Sequence, residues 1–340
     1  MGIALNDIRN GMQKITALRM ANALQVLASY YRSRLTGKPE IKGLPIALAV
    51  EPTTSCNLRC PECPSGLRSF TRPTGMLSVA LFNSVIDQLA DRLIYLTFYF
   101  QGEPYLHPAF LPMVRYAADK GIYTATSTNA HYLTDERARL TVESGLDRLI
   151  ISIDGTSQQT YQSYRVGGSL EKVLDGTQNI IRWKKKLKSN KPHVVFQFLV
   201  VRPNEHQIPE VYQLAQQLGV NEVKLKTAQI YDYQNGSDLI PVQDKYSRYR
   251  KMPDGSYRIK NSLDNHCWRM WHSCVITWDG KVVPCCFDKD AHHILGDVSR
   301  ESFKEVWNSA AYYEFRKRLI QSRKLIEICA NCTEGTKVWA

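Results

Sequence analysis

This sequence has few long hydrophobic stretches. No run in it approaches the roughly 18 consecutive apolar residues that a bilayer-spanning helix needs, although 44% of its 340 residues are hydrophobic. The opening Met1-Gly2-Ile3-Ala4-Leu5-Asn6-Asp7-Ile8-Arg9 lacks the basic start and apolar core of a secretion signal, so the chain is expected in the cytoplasm. Acid is scarcer than base, 32 Asp and Glu against 44 Lys and Arg, giving a formal +12. The excess is spread thinly. Its one dense run, Lys184-Lys185-Lys186-Leu187-Lys188, falls at a helix end, where cations are favoured. Without interleaved aromatics or a recognisable module, it gives no reason to expect nucleic acid. Repeats and low-complexity tracts are absent too, which excludes collagen-like, disordered and disulfide-scaffold chains. Nine cysteines remain, an odd number in a compartment where disulfides are not expected, so their spacing is read as metal or redox chemistry.

Residues 1–43 place Leu5, Ile8, Met12, Ile15, Leu18, Leu24 and Leu27 at mostly helical spacing before Gly37-Lys38-Pro39. We read them as an N-terminal helical extension packed as a cap, with a membrane-surface or partner-binding helix as the alternative. From 44 to 230, six apolar runs alternate with amphipathic stretches: Ile46–Val50, Leu93–Phe100, Tyr123–Ser127, Leu149–Ile153, Val194–Val201 and Glu222–Lys226. Such alternation predicts an α/β fold of parallel β/α units with right-handed crossovers, closing into a full or partial barrel with polar groups at one mouth. Residues 231–265 lose the periodicity and read as a connecting segment or active-site loop. In 266–340, Val275–Val283 reads as a β-hairpin turned at Asp279-Gly280, and a helix is expected from about Ser302 to Ser322.

Cys56-Asn-Leu-Arg-Cys60-Pro-Glu-Cys63 puts three thiolates in one loop directly after the first strand. Three cysteines bind three irons of a [4Fe–4S] cluster and leave the fourth iron for an exogenous ligand. A zinc loop is the alternative, but zinc would want a fourth Cys or His nearby.

The C-x3-C-x2-C spacing at this position resembles the radical S-adenosylmethionine superfamily, whose fold is a partial (β/α)6 TIM-like barrel. The resemblance implies that Cys56, Cys60 and Cys63 hold a reducing [4Fe–4S] cluster, and that S-adenosyl-L-methionine chelates its open iron. One electron then yields a 5′-deoxyadenosyl radical that abstracts hydrogen, which implies a low-potential donor such as flavodoxin or ferredoxin. Gln101-Gly102-Glu103-Pro104 looks like the family's Gly-Gly-Glu-Pro segment that receives the methionyl ammonium, a fitting partner for a carboxylate or carbonyl. Thr128-Asn129-Ala130 and Ser152-Ile153-Asp154-Gly155 resemble segments that meet the cofactor's ribose and methionine, and Arg165 fits the position that clamps its carboxylate. Two features depart from the pattern or stay ambiguous. Glu62 replaces the usual aromatic before the third cysteine, which leaves any adenine contact to backbone, and Leu199 reads equally as an adenine contact or as barrel core.

Cys267-x17-Cys285, with Gly280 shortly before Cys285, and Cys329-x2-Cys332 resemble the twitch form of the SPASM module. That resemblance implies one auxiliary [4Fe–4S] cluster, closed by four thiolates. A four-cysteine zinc is the alternative. Cys274 competes with Cys267 for the ligand place, and Cys286 is expected to point away. The implied activity is that of a radical S-adenosylmethionine oxidoreductase dehydrogenating a small molecule or peptide, with Asp288 and Asp279 as candidate bases. A redox-neutral epimerase drawing hydrogen from Cys274 or Cys286, a peptide maturase and a non-enzymatic iron–sulfur scaffold are its rivals. Substrate identity and oligomeric state are beyond what the sequence specifies.

Overall fold

The computed structural model describes residues 2–336 and 338, and for residues 2–4 the backbone alone. In chain order it forms α1 (Gly2–Met12), α2 (Ala17–Thr36), β1 (Ala47–Val50), α3 (Pro64–Leu67), α4 (Val79–Leu89), β2 (Tyr95–Thr97), α5 (Phe110–Asp119), β3 (Tyr123–Thr128), α6 (Asp135–Glu143) and β4 (Arg148–Ser152). Then follow α7 (Gln158–Tyr164), α8 (Leu170–Lys186), β5 (His193–Val200), α9 (Ile208–Leu218), β6 (Glu222–Thr227), β7 (Tyr249–Lys251) and β8 (Tyr257–Ile259). The C-terminal part contains α10 (Arg269–His272), β9 (Ser273–Ile276), β10 (Lys281–Val283), β11 (Gly296–Asp297), α11 (Phe303–Trp307), α12 (Ala310–Ser322) and α13 (Glu327–Ala330). Among the described residues no helix is long and apolar enough to cross a membrane.

The chain divides into two compact units, each assembled from separated stretches. The first comprises Met1–Arg9, Cys56–Ser69 and Ala125–Asn261, and the second Asn10–Ser55, Phe70–Thr124 and Ser262–Ala340. In the first, β4 pairs in parallel with β3 and β5, and β5 with β6. In the second, β1 lies parallel between β2 and β9, and the chain then returns antiparallel through β10 to β11. The six expected strands are thus present and their described pairings are parallel. Leu149, Ile151, Val194, Val195, Phe196, Phe198 and Val200 are all fully buried, as expected of parallel strands covered on both faces. Side-chain caps start the helices at the places the sequence marks. Ser78, Thr134 and Ser169 each accept an N–H three residues on, and Ser302 with Glu305 forms a capping box.

Two expectations need correcting. The helix expected over 302–322 is two helices, because Ser309 begins a new cap by accepting from the Tyr312 N–H. The segment 231–265 carries an antiparallel hairpin, β7 with β8, turned near Asp254-Gly255, and its Ile240 and Tyr249 join a core that contains Leu58 and Cys60. The Asp-Gly turn signal was present. Three-residue strands are too short to show an alternation.

Candidate functional site

Within the first unit, the cysteine loop sits on a small apolar core. Cys60 is buried beside Leu58, Tyr164 and Val201, and Cys56, Cys63 and Leu199 pack against the same cluster while keeping partial exposure. Gly66 lets the following turn lie on the loop, for a Cβ there would stand 2.6 Å from the Cys60 backbone. Asn129 reaches the loop from the end of β3, donating from Nδ2 to Asn57 Oδ1 (2.8 Å) and toward Cys56 Sγ (3.9 Å). Arg165 donates from Nε to the fully buried Asp154 (2.5 Å) and from Nη1 toward Cys60 Sγ (3.8 Å). Burial opposes the charge on Arg165, but Asp154 and Cys60 outweigh it and the guanidinium pKa lies well above its ordinary value. Burial likewise pushes the Cys60 thiol up, against the pull of Arg165. A loop of thiols beside a fixed cation is a donor set that suits an iron–sulfur cluster.

The other residues expected there have definite partners. The second oxygen of Asp154 accepts the Leu199 N–H (2.7 Å), so Leu199 is tied by its backbone as well as packed in the core. Ser152 Oγ lies 3.5 Å from Ser127 Oγ on the neighbouring strand. Glu62 accepts the Tyr231 N–H (3.0 Å). Gly102 and Glu103 belong to the second unit. Gly102 has φ +75°, and a Cβ there would meet the Thr53 carbonyl oxygen at 2.1 Å, so only glycine lets this turn lie against the chain that leads into the cysteine loop. Glu103 donates its N–H to Ser55 O (2.8 Å), while its buried carboxylate caps a short helical turn through the Tyr105 N–H (3.2 Å).

In the second unit Cys267, Cys329 and Cys332 are buried and Cys285 partly so. Cys285 feels the charge of Cys286, Cys267 and Cys329, Cys332 that of Cys267, and Cys286 that of Cys332, so thiols from three separated stretches interact. Burial pushes Cys329 up to about 12. Gathered thiols so reluctant to ionise alone fit a cationic cluster that would take them as thiolates. No three His, Cys, Asp or Glu side chains among the described residues close on a single-ion position, and the corners of a cubane stand farther apart than the ligands of one ion. Fully buried Arg323 donates to Cys332 Sγ (3.3 Å), as does the Glu334 N–H (3.3 Å). Gly335 passes so near that a Cβ would stand 2.3 Å from Cys267 Sγ.

Cys274 lies with Tyr312 and Arg316 and lines a cavity together with Cys285 and Cys286, and burial raises it to about 12. The Asp279 carboxylate accepts the Thr277 hydroxyl within its own turn (2.6 Å). Asp288 is fully buried, and its two oxygens accept the His292 and His293 N–H groups (2.8 and 2.9 Å). A cavity of about 500 Å³ in this unit is lined by Ala47, Ala49, Tyr95, Thr97, Trp268, Arg269, Cys285 and Cys286, among others. Arg269 is ion-paired with Glu334. The spacing of the cysteines gave no signal for Arg323, Arg269 or Gly335. Nor did it single out Asn204, fully buried, which donates to the Asp154 and Leu199 carbonyls.

Residues 50–221 match the Radical SAM superfamily, slightly more than half of the chain, and residues 267–333 match SPASM, an iron-sulfur cluster-binding domain. The chain is 27% identical over 319 residues to the tungsten-containing aldehyde ferredoxin oxidoreductase cofactor-modifying protein of Pyrococcus furiosus, covering 84% of this chain and 86% of that protein. It is 24% identical over 318 residues to a PqqA peptide cyclase of Gluconobacter oxydans, covering 87% and 84%. The fold is similar to that of Streptococcus suis SuiB bound to S-adenosylmethionine, with TM-score 0.64 at 11% identity over 91% of this chain and 76% of that one. The α/β radical SAM fold with a C-terminal SPASM module, expected from the sequence, is thereby borne out.

Proposed function

The chain belongs to the radical S-adenosylmethionine superfamily and is an enzyme of that family, and from this premise we propose that it dehydrogenates a small-molecule or peptide substrate. Its cofactors are S-adenosylmethionine with a [4Fe–4S] cluster, and auxiliary iron–sulfur in the SPASM part. When bound, these supply a hydrogen-abstracting radical at the first site and a one-electron acceptor at the second.

The protein's part is to hold each of them. Cys56, Cys60 and Cys63 would hold the first cluster, with Asn129 and Arg165 donating toward the sulfurs. Arg165 has Asp154 and Cys60 as its partners here, so we assign it first to orienting the loop and only then to a cofactor carboxylate. Cys267, Cys285, Cys329 and Cys332 would hold one auxiliary cluster, and Cys274 is left to its contact with Tyr312. The observation that carries dehydrogenation is the cavity in the second unit, because the ligand thiol Cys285 forms part of its wall. Loss of a hydrogen atom, then an electron and a proton, amounts to net two-electron oxidation. We place the base at neither Asp279 nor Asp288, since both carboxylates are engaged in holding their own loops.

Replacing Cys329 and Cys332 by Ala tests the reading. Deoxyadenosine should still form while the oxidised product disappears. Epimerisation is the second reading, supported by Cys274 and Cys286, both in the same cavity wall, as hydrogen donors. Solvent deuterium at the product carbon without any oxidised product would select it. The cyclase similarity supports peptides as one substrate class to be offered in the assay.

A further inference from the structure

Helix α2 is packed the wrong way round for a helix that ends at water. The residues it buries are mostly polar: Arg19, Asn22, Ser29 and Ser33 lie inside with Val26 and Tyr30. The side chains of Arg19, Asn22, Ser29 and Ser33 all find partners there. Arg19 donates to the carbonyls of Lys14, Ala90, Lys120 and Gly121, and Asn22 bonds Leu44 through both ends of its amide. Ser29 and Ser33 accept the N–H groups of Lys42 and Glu40. This stripe fixes the orientation of the helix, since turning it over would take the Arg19 donor away from the carbonyls of Ala90, Lys120 and Gly121.

The opposite face is therefore apolar. Ala17, Met20, Leu24, Ala28, Tyr31 and Leu35 follow one another at spacings of three and four, which puts them in one row along the helix. Leu24 is 58% exposed, Leu35 87% and Tyr31 45%, Met20 is 46% exposed where it lines the cavity of the second unit, and Met12 and Leu18 in the same stretch are 65% and 52% exposed. Scattered exposed apolar residues need no explanation, but a continuous row opposite a satisfied polar stripe does.

The charge around the row points to what covers it. No Asp or Glu occurs from residue 8 to 39, while Arg32 and Arg34 flank the row on its two sides and Arg9, Lys14 and Lys38 lie in the same segment. At the two ends Asp7 pairs with Arg148, and Glu40 pairs with Arg32, whose side chain stays 60% exposed, while Arg34 lies over the Tyr30 ring. A second copy packed on this face would set arginine against arginine. We propose that the outer face of α2 is a docking surface for an anionic membrane, with the leucines entering the headgroup boundary and the arginines meeting lipid phosphates.

The test uses the reconstituted holoenzyme and sedimenting vesicles of phosphatidylcholine, with or without phosphatidylglycerol. The enzyme should pellet with the mixed vesicles and be released by high salt, which screens the arginine contacts. Leu24→Glu with Leu35→Glu should weaken binding by at least about tenfold, from lost apolar contact and added repulsion. Arg32→Gln with Arg34→Gln should weaken it by about tenfold and reduce the salt response. Far-UV spectra and unchanged deoxyadenosine formation would show that these variants fold, as none of the four residues belongs to the cofactor machinery. Equal binding to both vesicles, or binding to neither, overturns the proposal. So does a wild-type dimer by light scattering that the leucine variant makes monomeric, which would assign the face to a second copy.

Discussion

The two cysteine sites use opposite constructions for related chemistry. The first takes three thiols from one eight-residue loop, leaves two of them partly exposed, and presents a single arginine at long range, 3.8 Å from Cys60 Sγ. The second gathers four thiols from three separated stretches, buries three, and places a fully buried arginine 3.3 Å from Cys332 Sγ. An open set in a loop can admit an external ligand at the fourth iron. A closed set inside a module is suited to holding a cluster in place and passing electrons. The difference also affects folding. The loop is anchored by its own turns, whereas the module's stretches are joined by long-range bonds, Arg323 donating to the His266 and Glu334 carbonyls and the Trp268 N–H to Gly335.

The largest expected effect comes from the open site. Cys56→Ala, Cys60→Ala and Cys63→Ala together should abolish deoxyadenosine formation and lower iron from about eight to about four per chain, which colorimetric iron and sulfide assays would show. Residual cofactor cleavage would contradict the assignment of this loop. Next, Arg323→Met should lower iron retained by the C-terminal site and the melting temperature together, because it removes a donor to Cys332 and empties a buried polar position. Arg165→Met at the open site should keep the iron and change its reduction potential, read by EPR-monitored titration. If the two arginine variants behaved alike, the contrast between the sites would collapse.

Gly102→Ala probes the entrance to the first loop. With positive φ and a 2.1 Å approach to Thr53 O, it should destabilise the fold by about 2 kcal/mol or more in chemical denaturation. The smallest effect near neutral pH concerns His272, in the helix after Cys267. Burial and then Arg269 lower its pKa from 6.5 to about 3. The unfolded chain therefore binds a proton that the fold refuses, so stability is lost as pH falls from about 6.5 toward 3. His272→Gln should flatten the melting temperature over that window. An unchanged slope would mean that other groups govern acid stability.

Much of the fold was legible because parallel strands buried on both faces must be apolar throughout and their helices must be capped. The break at Ser309 was less legible, since a serine inside an amphipathic run reads equally as exposed surface and as a cap. At the sites, a short loop carries its own geometry in C-x3-C-x2-C. Local spacing did not show that Cys274 lies on β9 against Tyr312, a contact between residues 38 positions apart.

What the sequence determined by itself is what local spacing and period can encode: alternating β/α units, the cysteine loop, the Asp-Gly hairpin and the closing cysteine pair. Only the tertiary structure decided which carboxylates are engaged, which arginines lie beside sulfur and which face of α2 is turned outward. Helical periodicity shows that two faces differ but not which one the rest of the protein can satisfy. For α2 that choice was made by the carbonyls of Ala90, Lys120 and Gly121, far along the chain, which accept Arg19 and leave the leucines outside.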